Sequence, residues 1–103
     1  MISNDSVMTT YGSCIDLELE YTDEDGAPED VTGDTFAILR ASCPAFEAAV
    51  FTKTDAVQGK VHFHLPAADA AKLFLGRVNW FRVQRTLPDG CEDNSEAIWV
   101  SVQ

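Results

Sequence analysis

Within residues 58–83 the hydrophobic period changes twice, and this limits the folds open to the chain. KVHFHL sets Val61, Phe63 and Leu65 against Lys60, His62 and His64, the alternation of a half-buried strand. PAADAAKLFLG then favours helix. Pro66 suits a first helical turn, four alanines follow, Leu73-Phe74 supply an apolar anchor, and Gly76 is a stop. A helix near residues 66–74 is too short to hold alone, so it must pack across an open end of a sheet. RVNWFRV returns to strand and is apolar on both faces, Val78 and Trp80 on one, Phe81 and Val83 on the other. That pattern belongs to a strand central in a sandwich or facing a partner.

The rest of the chain is punctuated for β-structure. CIDLELEY places Ile15, Leu17, Leu19 and Tyr21 on one face and the carboxylates of Asp16, Glu18 and Glu20 on the other. TDEDGAPED is a turn, with Asp25-Gly26 its strongest signal. TFAILRAS predicts a strand that Cys43-Pro44 ends, since proline cannot donate to a ladder. AFEAAVFTKTD predicts a strand centred on residues 48–53, Pro88-Asp89-Gly90 a turn, residues 91–95 a loop, and AIWVSV a last strand. Six to seven short strands, one short helix and frequent turns predict an all-β antiparallel sandwich. The expected organisation is an arm or edge strand over residues 1–12 and a single domain over 13–103.

Charge narrows the function classes. The net charge is −10. The first 39 residues hold Asp5, Asp16, Glu18, Glu20, Asp23, Glu24, Asp25, Glu29, Asp30 and Asp34 and no Lys or Arg. No basic stripe exists for nucleic acid or an anionic membrane surface, and no apolar run reaches membrane-span length. The N-terminal segment has neither the basic nor the apolar region of a secretory signal. Cys14, Cys43 and Cys91 are odd in number and lack metal spacing, which predicts reduced thiols.

Chemistry-bearing patterns are sparse. His62 and His64, two apart on a strand, point the same way and offer two metal ligands if Asp16, Glu18 or Glu20 supplies a third. The plainer reading is two polar residues on a wet face, and neither a metal nor another cofactor is assigned. Asp23, Glu24, Asp25, Glu29 and Asp30 share only the composition of a calcium loop, not its order. No cysteine or serine sits in a nucleophile motif, no glycine-rich phosphate loop occurs, and exposed acids lack the burial that tunes a catalytic carboxyl. The expectation is a non-enzymatic protein. Trp80, Phe81 and Trp99 suit a core, but neighbours Trp80 and Phe81 point opposite ways, so one of them reaches outward as an interface anchor.

The ordered combination of elements resembles the small Ig-like β-sandwich modules of tailed-phage and prophage structural proteins, most of all the N-terminal modules of siphophage upper-baseplate proteins. The matching residues are the acidic hairpin Tyr21–Gly26, then Pro28 and Val31-Thr32-Gly33, the strand Phe36–Arg40, Gly59 with Val61, Phe63 and Leu65, the alanine-rich helix with Leu73 and Gly76, Trp80–Val83, and the Asp89-Gly90 hairpin. The resemblance implies a virion component made in the bacterial host cytoplasm. It would dock on other phage structural proteins as part of a symmetric oligomer, many weak contacts adding up. Those modules continue into a receptor-binding or fibre region. None follows Gln103, so the expectation is a stand-alone head-decoration, neck or tail/baseplate component. Its expected contacts are Asp16, Glu18, Glu20, Asp23, Glu24, Asp25, Trp80 and Phe81.

Two other readings fit the residues. The ladder Asp16, Glu18 and Glu20 with Asp23 and Asp25 makes a small host-directed inhibitor or DNA mimic conceivable, provided those acids share one surface at phosphate-like spacing. A carbohydrate-binding sandwich would need Trp80 or Trp99 on an exposed platform.

Overall fold

The computed structural model describes residues 6–74, 76 and 78–103, so Met1–Asp5 of the expected arm lie outside the described residues. Eight strands are present: β1 (Ser6–Thr9), β2 (Ile15–Glu20), β3 (Thr35–Ala41), β4 (Val50–Asp55), β5 (Lys60–Leu65), β6 (Val78–Thr86), β7 (Glu92–Asn94) and β8 (Ile98–Val102). One sheet runs β1-β8-β6-β3, with β7 also paired to β6, and the other runs β2-β5-β4. The facing trios β2-β5-β4 and β3-β6-β8 have the strand order of an immunoglobulin-type sandwich.

Four details differ from the sequence expectation. β1 is an edge strand that runs parallel to β8, whereas the other named pairings are antiparallel. β7 lies in a segment expected to be loop. Glu-Asp-Asn has little strand propensity, but Gln84 donates to Glu92 at 2.8 Å and Arg85 to Asp93 at 3.2 Å, and these contacts hold it to β6. The strand expected around residues 48–53 is present as β4 but begins two residues later, and a 3-10 turn, Pro44–Ala48, precedes it. The alanines and Pro44 favour the turn, and the β-branched and aromatic residues after it favour the strand. The helix is shorter than expected: α1 spans only Ala67–Ala70.

Period two is what makes the core. Leu17, Leu19, Val61, Phe63 and Leu65 face inward from one sheet, and Phe81, Val83, Ile98, Val100 and Val102 from the other. Six rings form a continuous path through the interior. Tyr21 meets Phe36 at 5.4 Å, Phe36 meets Phe51 at 6.3 Å, and Phe51 meets Phe63 at 5.6 Å. Phe63 stacks on Phe81 at 4.6 Å, and Phe81 reaches Phe46 at 5.0 Å. The Phe63–Phe81 stack joins the sheets, and all three cysteines are free thiols.

The ends of the sandwich are closed by short elements. Helix α1, with buried Ala70, packs against the 3-10 turn, with buried Ala45 and Phe46, and Leu73 just beyond α1 is buried as well. Asn79, wholly buried on β6, accepts from Phe74 N–H and donates to Phe74 O, both at 3.1 Å, so its amide replaces a backbone partner for the segment leaving α1. At the opposite end Gly59 adopts φ +72°, and a Cβ there would lie 2.5 Å from Tyr21 O and 2.6 Å from Glu29 O. Only glycine lets β5 start so close to the 21–29 hairpin.

Candidate functional site

The two outer sheet faces differ in chemistry. On the β2-β5-β4 sheet, Asp16 pairs across from His64 and Glu18 across from His62. Strand alternation sends these side chains outward, away from Leu17 and Phe63. Asp16 Oδ1 accepts from His62 Nε2 at 2.8 Å and from His64 Nδ1 at 2.7 Å. A carboxylate only accepts, so each imidazole presents an N–H to the same oxygen. The two rings lie 6.5 Å apart and nearly parallel. These hydrogen bonds, His64 first and His62 second, hold the Asp16 carboxyl down at about 2. Asp16 Oδ2 takes a weaker contact from the Cys14 thiol at 3.5 Å.

The structure therefore picks Asp16 from the three acids as the partner of the histidine pair. Glu18 accepts from Thr54 Oγ1 at 3.1 Å, and Glu20 is exposed farther along the strand, opposite Lys60. Asp23, Glu24 and Asp25 are exposed at the hairpin tip. Asp23 Oδ1 accepts from the backbone N–H groups of Asp25 and Ala27, each at 2.9 Å, so it shapes the turn it occupies.

The acidic first third is not all surface. Glu29 and Asp34 turn toward Arg85, which is 3% exposed. Arg85 donates to Asp34 at 2.6 Å, to Glu29 at 2.9 Å and to Asp93 at 3.2 Å, and its guanidinium lies 5.0 Å from the Tyr21 ring centre. Burial alone would lower the guanidinium's proton affinity, but the paired carboxylates, Asp34 ahead of Glu29, reverse that and raise it. This network was not singled out from the sequence, yet its signal is there: the inward rhythm Phe81, Val83 continues to Arg85.

On the other sheet, the outward aromatic is Trp80. Phe81 is wholly buried in the ring path and is removed from the set of contact residues, because strand alternation turns it into the core. The expected placement of Val78 beside Trp80 lies outside the described side chains. Trp80 stands directly across from Trp99, which is 46% exposed. Two residues along β6, Arg82 pairs across from Arg40, and a bulge between Ile38 and Arg40 sets that register. Met8 on β1, 71% exposed, extends the patch past β8. The result is an apolar centre with arginine beside it, on a face away from the β2 carboxylates.

No protein-family model and no curated protein matches the sequence. Among solved structures the chain is similar to the SrpA adhesin from Streptococcus sanguinis, at 11% identity and a TM-score of 0.54. The alignment covers all of this chain and 56% of the adhesin chain, so this chain spans about half of that protein's length. At that identity the likeness concerns the fold, a small β-domain.

Proposed function

We propose that this chain is a non-enzymatic docking module of a tailed-phage particle, working through the outer face of the β1-β8-β6-β3 sheet. The observation that carries the docking part is the cross-strand pair Trp80–Trp99 beside Arg40 and Arg82. Tryptophan and arginine dominate the binding energy of protein interfaces, and here they share one open sheet face. The phage assignment rests on the sequence resemblance.

The partner this face fits is an apolar subunit surface carrying carboxylates. Arg40 and Arg82 would meet those acids while the tryptophans bury against the apolar part. The acidic β2 face and hairpin then remain in solvent, where their charge keeps unassembled subunits apart. A single patch of this size is a modest interface. Repetition around a symmetric tube or shell gives it strength.

The DNA-mimic reading has less support. Of the ladder Asp16, Glu18, Glu20, Asp23 and Asp25, the carboxylate of Asp16 is shared by two histidines, which shortens that ladder. The carbohydrate reading keeps the exposed Trp99 platform. Purified particles from the source, analysed by quantitative mass spectrometry, test the proposal. A fixed copy number per particle is expected. Absence from the particles contradicts it.

A further inference from the structure

The geometry points to a surface site for one divalent transition-metal ion of the zinc class, held by Asp16, His62 and His64. This inference is independent of the docking proposal and uses the opposite face. Three potential donor atoms, one from each residue, lie within 4.8 Å of one another. Two imidazoles and one carboxylate are a common zinc donor set. Zinc bonds of about 2.0–2.2 Å in a tetrahedron place neighbouring donors about 3.3 Å apart. The Asp16–His62 and Asp16–His64 separations are 2.8 and 2.7 Å. Opening these two contacts by about half an ångström, and bringing the two imidazole nitrogens, which lie within 4.8 Å of one another, to the same spacing by side-chain rotation, admits the ion.

The backbone fixes the arrangement. His62 and His64 leave the same side of β5, and the β2 register puts Asp16 opposite His64. No chain movement is needed to bring the donors together. All three side chains are 33–45% exposed, so an ion enters directly from solvent. The three donors leave one tetrahedral position open to water. Calcium and magnesium prefer six or more oxygen ligands, and this set offers them little. Copper, nickel and cobalt share the preference for imidazole, so the class is set by the donors and zinc is the probe.

The test uses tag-free, reduced, chelator-treated full-length chain. Zinc chloride is titrated by calorimetry, and the imidazole nitrogens are followed by NMR. The chain has two histidines, so the ring signals report this site alone. One equivalent of zinc is expected, with both rings shifting together. Asp16→Asn, His62→Gln and His64→Gln should each weaken binding by at least about tenfold, the lower bound for losing even an outer partner. Cys14→Ser with Cys91→Ser should leave the stoichiometry at one. No uptake at sub-millimolar zinc overturns the assignment. So does uptake that survives His62→Gln, or uptake that vanishes in the double serine variant. The wild-type ring signals need no variant, so a substitution that fails to fold does not shield the inference.

Discussion

Arg85 and Asp34 form a salt bridge at 2.6 Å, with each side chain only 4% exposed. The pair ties the 29–34 segment to β6, and Glu29 and Asp93 complete the guanidinium's partners. Arg85→Met would strand Asp34 as a buried, unpaired charge. Removing one partner of a buried pair costs about 3–5 kcal/mol. A domain of this length holds about 5–15 kcal/mol in all. Urea unfolding should therefore show a large loss for Arg85→Met and a much smaller one for Arg85→Met combined with Asp34→Leu.

Tyr21 offers a contrast, since its hydroxyl is buried without a hydrogen-bond partner among the described residues. Tyr21→Phe keeps the ring against Phe36 and under Arg85 and removes an unsatisfied polar atom. Stability at neutral pH should be unchanged or raised, by up to about 1–2 kcal/mol.

The same residue gives the fold an alkaline limit. Burial, with the charge of Asp93 adding to it, pushes the Tyr21 phenol well above its ordinary value. The folded state keeps it neutral, while the unfolded chain ionises it near pH 10. The neutral form's stability is thus fully present below that pH and declines as pH rises through and beyond it. The slope is about 1.4 kcal/mol per pH unit for one group. Chemical denaturation from pH 9 to 11 should show this decline in the wild type and its absence in Tyr21→Phe.

Gly59 is the most sensitive turn position. A methyl there meets two carbonyl oxygens at 2.5 and 2.6 Å and a left-handed backbone. The backbone conformation alone costs a non-glycine residue about 1–2 kcal/mol, and the collision adds to it. Gly59→Ala should lower the thermal midpoint markedly, while Gly90→Ala, at φ +90° but with open space around it, should cost only the conformational part.

Much of this architecture is legible in the sequence, for reasons specific to its residues. Alternation in CIDLELEY and KVHFHL fixed which side of β2 and β5 faces water, and hence that Asp16, His62 and His64 share a surface. Register was not legible, since several residues of β2 could have faced His64, and only the paired strands select Asp16. In β6, alternation implied that Trp80 and Phe81 part ways but not which one turns outward. The inward run Asn79, Phe81, Val83, Arg85 settles it, and two of its members are polar. β7 was illegible because its pairing comes from polar contacts to Gln84 and Arg85, not from any strand propensity of its own.

The docking face is tested most directly by replacing Trp80 and Trp99 together with threonine, which keeps strand propensity. The readout is the copy number of the folded variant, relative to wild type, in purified particles assembled with each. The account predicts at least a tenfold drop, as expected when a central aromatic anchor worth about 2 kcal/mol or more is removed. Incorporation equal to wild type would contradict it.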